Sequence, residues 1–531
     1  MKTSYNILGL MWLAAAASCT SGEGGYGEIK NDRFWTTVSG ENIYSQGGGI
    51  FTFRGPHDDE PTYYWYGVRY AEAEMYAESP IRKYDRCTFR SVTLYKSRDL
   101  VNWQAKPDVM VAEDIAPGGR CGWVGRMGVC YVAEAKEYAM FIQHNNSVLI
   151  ATAKSPEGPF TPYRHIDMTS RIGTPNTGDQ TVFVDDDGQG YLIYSYGRGR
   201  NKGYVSRIGI ETESDSIGLT DCHEVFRGAS REGNCMFKHG GRYYLCASNI
   251  YGWDSSCGYY MISDSIYGPY KGDDGGAMAT MRDCEADYCH VTQTGFFVTV
   301  HGSEQETVIF CGDRWSDFAN NGLGYNQWMP LTFDLEGKPT FNSVSAWRLN
   351  ETTGEWHVSE RGNNYVRNGS FEADRRIIPL AVKPRQEFLS GWKTEIMLGT
   401  QVGNEIPNSP KLNAFNSTED EMYVTGKMSM QITDTCAFER RISQTVMGPG
   451  GTELADGRYR MEAMINVNRR FDELTMYAGE SYMDISKATE GWQHVGLECH
   501  IEGGKIEIGF VAKGDERHQC RIDDVSLVKM E

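Results

Sequence analysis

Arg231-Glu232-Gly233-Asn234-Cys235-Met236-Phe237-Lys238-His239-Gly240-Gly241-Arg242-Tyr243-Tyr244-Leu245-Cys246 carries both the structural and the chemical signal of this chain. A strand-forming run meets two glycines and returns as Tyr-Tyr-Leu-Cys, the pattern of a β-hairpin closed by a tight turn. Just ahead of the apolar step stands a lone carboxylate, Glu232. In a buried strand little water reaches such a group, and desolvation raises its pKa toward the range of a proton donor. Taken alone, Glu232 reads first as a surface carboxylate at a strand end. The rest of the chain changes that reading.

The returning strand recurs. Thr62-Tyr63-Tyr64-Trp65-Tyr66-Gly67, Glu137-Tyr138-Ala139-Met140-Phe141, Gly190-Tyr191-Leu192-Ile193-Tyr194-Ser195, Arg242 to Cys246 and Thr307-Val308-Ile309-Phe310-Cys311-Gly312 follow one another at intervals of roughly 50 to 75 residues, the spacing of propeller blades. A second element follows several of them: a strand, a Ser-led turn and a closing aromatic. It is seen from Leu94 to Trp103, from Ala151 to Phe160 and from Met261 to Tyr270. Five four-stranded antiparallel units arranged radially make a β-propeller, whose repetition protects its sheet edges. The inner strands line a central funnel, so functional side chains are expected just before the recurrent strands.

Near residue 360 this pattern stops. Asn368-Gly369-Ser370-Phe371-Glu372 opens a different region that closes on Ile522-Asp523-Asp524-Val525-Ser526-Leu527-Val528, with alternating strands such as Gly457 to Ala463 between. The pattern is that of a jelly-roll-like β-sandwich. The expected class is therefore all-β: a five-bladed propeller over residues 26–360 and a sandwich over 361–531, after a leader over 1–25. The opening and closing motifs of the sandwich resemble non-catalytic carbohydrate-binding modules.

The leader has a basic start, an apolar run from Ile7 to Ala17 and small residues before Cys19. That is a secretory signal, and its Ala16-Ala17-Ser18-Cys19 ending resembles a bacterial lipobox. Cys19 would then carry a lipid anchor, with Thr20 to Gly25 as tether, on an exported lipoprotein at the cell surface or in the periplasm. The alternative is an ordinary signal peptide. Eleven apolar residues are too few to span a bilayer. The net charge of −19 argues against a nucleic-acid partner, since an acidic chain displaces no phosphate counterions. Of 14 cysteines, the 13 beyond Cys19 show no Cys-x-x-Cys spacing for zinc, and an odd number cannot all pair.

Three positions fall where a propeller would present them centrally. Asp179 precedes a blade strand that turns at Asp185-Asp186-Asp187-Gly188; Glu232 holds the equivalent place one blade later, and Gln293 another blade on. Two carboxylates on adjacent inner strands feel each other's charge, which holds one protonated at neutral pH.

From about residue 40 to 350 the chain resembles glycoside hydrolase family 43, the five-bladed propeller hydrolases, and within it the exo-β-1,3-galactanase branch. The resemblance rests on Gln46-Gly47-Gly48-Gly49-Ile50, Tyr63 to Gly67, Asp179 to Gly188, Arg231-Glu232 with Met236-Phe237, Tyr251-Gly252-Trp253, Gly312-Asp313-Arg314-Trp315 and Trp328-Met329-Pro330-Leu331. It implies inverting hydrolysis, with Glu232 as general acid, Asp179 orienting it and keeping its pKa raised, and Gln293 positioning the attacking water. The first-blade Asp that serves as base in most of the family has no counterpart; Gln46 precedes the glycines. The candidate substrate-binding set is Gln46, Arg126, His144, Trp253, Asp313, Arg314 and Trp315.

Two departures bear on substrate. Val68 stands where the galactanase branch has a Glu, and Gly125-Arg126-Met127 where it has Glu-Arg-Pro. A site built on hydrogen bonds loses discrimination steeply when they go. Either the sugar differs, or Arg69, Glu72, Gln143 or His144 takes over. The expected activity is exo-acting removal of galactose-type residues from a polysaccharide such as β-1,3-galactan or arabinogalactan, by a monomer that needs no cofactor. An α-L-arabinofuranosidase or galactofuranosidase of the same fold and a non-catalytic glycan-binding lipoprotein are the alternatives. The resemblance also allows a structural calcium.

Overall fold

The computed structural model describes residues 25–78, 88–272, 276–316, 323–374, 389–400, 411–412, 423–426 and 428–530. The leader with Cys19 lies outside them. Five antiparallel sheets follow one another in chain order. The first is built from Gln46–Phe53, Thr62–Tyr70, Phe89–Ser97 and Gln104–Val111, and the second from Val124–Val132, Glu137–His144, Ser147–Ala153 and Thr161–Ile166. Thr177–Val184, Gly190–Tyr196 and Lys202–Glu211 begin the third, in which Ser216–Leu219 and His223–Arg227 both pair with Lys202–Glu211. The fourth holds Glu232–His239, Arg242–Ser248, Tyr259–Ser263 and Ala279–Thr280; the fifth holds Gln293–His301, Glu306–Ser316, Leu323–Phe333 and Pro339–Phe341. The first strands of the five sheets touch in order, and the fifth returns to the first. This is a five-bladed propeller.

The recurrent aromatic strand is the second strand of each blade, sandwiched between neighbouring blades. Both of its faces are covered, which is why Tyr64, Trp65 and Tyr66 are all buried in succession instead of alternating. The Ser-led turn also has its predicted role: Ser97 Oγ donates to Asp99 Oδ1 at 2.9 Å, and the aromatic after it, Trp103, is buried with its indole N–H on Leu100 O at 3.1 Å. Phe160 and Tyr270 are buried at the same place in blades two and four.

Where the ring closes, blade one meets blade five through a cluster of indoles. Trp65 and Trp328 lie 5.1 Å apart between centroids, Trp103 lies 5.2 Å from Trp65, and Trp35 meets Trp328 edge-on at 4.4 Å. Such aromatic pairs contribute beyond the area they bury. The chain's entry and exit are clasped there as well. Gly27–Lys30 pairs with Ala346–Leu349, which pairs in turn with Trp356–Val358. Asn31, directly after the entry strand, is buried and uses its whole amide: Nδ2 donates to Trp328 O at 2.9 Å and Val344 O at 2.7 Å, and Oδ1 accepts Trp328 N–H at 2.9 Å.

The C-terminal region is a sandwich of two five-stranded sheets. Gly457–Val467 alternates buried and outward residues along its length, the period of a strand with one face in a core. The sandwich docks on the propeller through Arg367, whose Nη1 lies 3.3 Å from Asp287 Oδ2 and whose Nη2 contacts Asp283. The twelve described cysteines are thiols; Cys246 and Cys311, both fully buried, act as small apolar residues in blade strands.

Asn31→Ala removes three hydrogen bonds from a site that water cannot reach and leaves buried backbone groups unmet. It is expected to destabilise the propeller by on the order of 3 kcal/mol, read as a drop in the midpoint of thermal unfolding.

Candidate functional site

At the funnel end of every inner strand the register slips against the neighbouring strand: between Gln46 and Gly49, Val124 and Met127, Thr177 and Gln180, Glu232 and Cys235, and Thr294 and Phe296. A bulge takes residues out of the ladder and re-aims their side chains. Arg126 and Asp179 lie inside two of these slips, Glu232 opens a third and Gln293 directly precedes the last. The repeated bulge therefore turns four polar side chains from consecutive blades into one cavity. Gly233 makes the bulge after Glu232: its φ is 61°, and a Cβ there would stand 2.5 Å from Thr294 O.

The cavity holds about 310 Å³. Beneath it lies the buried guanidinium of Arg126, with three of its nitrogens committed. Nε reaches Asp179 Oδ2 at 3.2 Å, Nη1 reaches Asp313 Oδ2 at 3.0 Å, and Nη2 donates to Gln293 Oε1 at 3.1 Å and Thr294 O at 3.3 Å. Burial works against its charge, but the two carboxylates outweigh burial and hold the guanidinium above its usual pKa. Burial tends to raise the Asp179 carboxyl as well; the charges of Arg200 and Arg126 overcome this, with Gly233 N–H at 2.8 Å, and keep Asp179 ionised. For Asp313, fully buried, desolvation wins and its pKa rises.

Glu232 is the odd member. Burial and then the charge of Asp179 push its carboxyl up to about 8, against the opposing pull of Arg200 and Arg126. Its Oε1 accepts Gln293 Nε2 at 2.8 Å and Gly252 N–H at 3.1 Å, while its Oε2 faces Arg200 Nη1. The orientation of the Gln293 amide is fixed by two donors on its oxygen, Arg126 and Trp315 Nε1, the latter at 2.7 Å. Three indoles wall the cavity: Trp253 meets Trp315 at 5.1 Å, and Trp123 lies 6.0 Å from Trp253.

Of the residues singled out from sequence, Asp179, Glu232, Gln293, Arg126, Trp253 and Trp315 line this cavity together. Four others do not. Asp313 sits under Arg126 as a buried counter-ion and is also bonded by Asn326 Nδ2 at 2.9 Å. Arg314 points to the other side of its strand, to Asp32 at 3.1 Å, in a separate cavity against the sandwich. Successive residues of a strand face opposite ways, which splits the Asp313-Arg314-Trp315 run. His144 is buried with Nδ1 on His165 Nε2 at 3.0 Å and Nε2 on Cys121 O at 2.9 Å, leaving its neighbour Gln143 to face the cavity. Gln46 is buried behind Gly47, and neither atom of its amide has a bond partner among the described residues.

Val68 is buried opposite Gln46 in the ladder; Arg69 is paired with Glu74 and the Glu72 carboxylate is taken by Thr88, so Arg69 brings no donor and Glu72 no carboxylate to the cavity. Sequence reasoning passed over Trp123 and Arg200, which line the site from the ends of blades two and three. Their signal was position: Arg200 lies on the hairpin after the recurrent strand Gly190–Tyr196, at the end of the blade that also carries Asp179. The calcium allowed by the resemblance would need converging oxygen ligands; among the described residues no group of three or more His, Cys, Asp or Glu side chains could hold a metal ion.

A sequence profile described as glycosyl hydrolases family 43 matches residues 58–327, the span that holds the cavity residues from Trp123 to Trp315. The chain belongs to glycosyl hydrolase family 43. As a family 43 member it is a glycoside hydrolase, and the cavity is its candidate active site. Solved structures share the fold. An exo-β-1,3-galactanase from Phanerochaete chrysosporium with β-1,3-galactotriose is 20% identical, with a TM-score of 0.53 over 93% of this chain and 100% of that one. An exo-β-1,3-galactanase from Clostridium thermocellum is 18% identical, with a TM-score of 0.53 over 95% of this chain and 100% of that one. No curated protein matches the sequence.

Arg126 answers four acceptors through three nitrogens, a task for a planar fork that the single ammonium of Lys does not reproduce. Arg126→Met leaves Asp313 and Gln293 buried without their cation and is expected to cost about 3–5 kcal/mol. Arg126→Lys should recover only part of this, and chemical denaturation of the two variants checks both.

Proposed function

We propose that this family 43 chain is an inverting, exo-acting hydrolase of galactose-type residues at the ends of a polysaccharide such as β-1,3-galactan or arabinogalactan. The observation that carries this reading is Glu232: a buried carboxyl beside the Asp179 carboxylate, pushed up to about 8 by burial and by that charge, at the wall of a cavity whose volume is at the lower end of small-molecule sites, about 300–1,000 Å³. Such a cavity suits one terminal sugar and not a length of chain. Indole faces stack on the apolar face of a pyranose, and three indoles line this space.

In the proposed step, the proton on Glu232 Oε2 passes to the glycosidic oxygen as the bond from that oxygen to the anomeric carbon breaks. Water adds to the anomeric carbon from the opposite face and releases its proton to solvent, giving a free sugar of inverted configuration. Both Oε1 lone pairs of Glu232 are taken by Gln293 and Gly252, so the transferable proton belongs on Oε2. Asp179 keeps that proton in place by its charge. Gln293, already bonded to Glu232 through one N–H, has its second for a water or sugar oxygen, and as a neutral amide it orients without deprotonating. The same reading has the enzyme acting outside the cytoplasm as a monomer tethered through Cys19.

Purified protein is expected to release monosaccharide from one or more of β-1,3-galactan, arabinogalactan and the nitrophenyl glycosides of galactopyranose, galactofuranose and arabinofuranose, and Glu232→Gln to lower that release at least about a hundredfold. A furanose released in preference to galactopyranose would replace galactose in this reading. Release of no sugar, or full activity in Glu232→Gln, would overturn it.

A further inference from the structure

Arg200 is a cavity residue to which the proposed reaction assigns no contact with the substrate, and several independent features hold it in place. Its backbone is in the left-handed region at φ 53°, where a residue with a side chain is strained. The loop that imposes this is pinned to the segment entering blade four: Arg231 N–H donates to Arg200 O at 2.8 Å, Gly228 N–H to Asn201 O at 3.1 Å, and Ser230 Oγ to Gly199 O at 2.6 Å. Strain held by this many contacts is a mark of a positioned group.

The guanidinium is directed into the cavity but only partly used. Nη1 lies 3.4 Å from Asp179 Oδ1 and contacts Glu232 Oε2, whereas Nε and Nη2 have no partner among the described residues, and the side chain is 30% exposed. When Glu232 is protonated, the charges on the cavity wall are Arg126 and Arg200 against Asp179 alone. Asp313, beneath, brings the whole cluster to neutrality. An anion can therefore enter without facing net negative charge. The approach is cationic too. Around the turn that carries Arg200, from Gly190 to Lys202, the chain carries Arg198, Arg200 and Lys202 and no acid, in a protein whose net charge is −19. Arg198 is exposed, and Lys202 lies over the Tyr196 ring at 4.9 Å.

We propose that Arg200 reads a negatively charged group on the substrate, so that the glycan accepted here is an acidic one, bearing a uronate carboxylate or a sulfate ester beside the cleaved bond. This rests on the hydrolase reading above and narrows its substrate class. A planar guanidinium whose Nε and Nη2 are both uncommitted presents one donor edge that matches either oxyanion bidentately. The pairing also fits the proton transfer: an anion that draws Arg200 toward itself frees Oε2 of Glu232 to meet the leaving oxygen.

The test is binding by calorimetry of methyl β-D-galactoside, methyl β-D-galacturonoside, methyl β-D-glucuronoside and methyl β-D-galactoside 6-sulfate to the full chain carrying Glu232→Gln, and to the same chain also carrying Arg200→Gln. At least one anionic glycoside is expected to bind about tenfold or more tightly than methyl galactoside, with a preference that shrinks as salt rises and falls to within about twofold when Arg200 is replaced. The tighter of carboxylate and sulfate names the source. Equal or weaker binding of all the anionic probes, a preference unchanged by Arg200→Gln in a protein of unaltered circular dichroism, or no binding of any probe would overturn the proposal. Sugar release by the wild-type chain from the same four glycosides is scored separately: a preserved preference without release from these or the earlier panel would sink the hydrolase reading and leave the anion site standing.

Discussion

The Arg126 guanidinium, buried at the floor of the funnel, is the contact on which the site depends. A lone cation in that position would be prohibitively costly to desolvate, and it persists because acceptors from blades three and five surround it. The same contacts set the chemistry above. With Arg126 in place, Asp179 remains an anion and Gln293 is held with its amide N–H groups outward. An anionic Asp179 beside a buried Glu232 keeps the second carboxyl protonated. Acid and orienting carboxylate thus differ because of which one the cations favour, not because of any difference in intrinsic strength.

The propeller supplies this geometry by repeating one irregularity. Each inner strand breaks register at its funnel end, and the break converts positions that would otherwise lie in the blade faces into cavity walls. Blade-to-blade packing fixes the distances between them. Closure at the Trp65–Trp328 seam and the Asn31 clasp keep five separate hairpin units from opening apart. Stability at the seam and precision at the site are linked, since Gln46 and Gly47 belong to blade one and Gln293 to blade five.

Much of this was legible in the chain itself. Five aromatic strands in similar surroundings announced the propeller, and Asp179, Glu232 and Gln293 could be placed at the funnel because each stands on the far side of the strand that leads into such a strand. What remained hidden depended on direction within a strand. Asp313, Arg314 and Trp315 are adjacent in sequence, yet one is buried beneath the site, one faces the sandwich and one lines the cavity. His144 and Gln143 exchange roles for the same reason. Bulges, which consist of where pairing fails, leave little trace beyond glycines such as Gly47 and Gly233. Arg200 had a position at the funnel end of its blade but no readable direction, because it comes from a loop whose course is set by contacts with residues 228–231, and loop conformation of that kind follows from tertiary packing.

The central claim is that burial and the neighbouring Asp179 hold Glu232 protonated at neutral pH. Titration of its carboxyl carbon by NMR, in protein labelled at glutamate and assigned through Glu232→Gln, measures this directly. The account predicts a midpoint pushed up to about 8, moving to lower pH in Asp179→Asn, where the repelling charge is gone. A midpoint in the ordinary carboxylate range of about 4 to 5, or one that Asp179→Asn leaves in place, would contradict it.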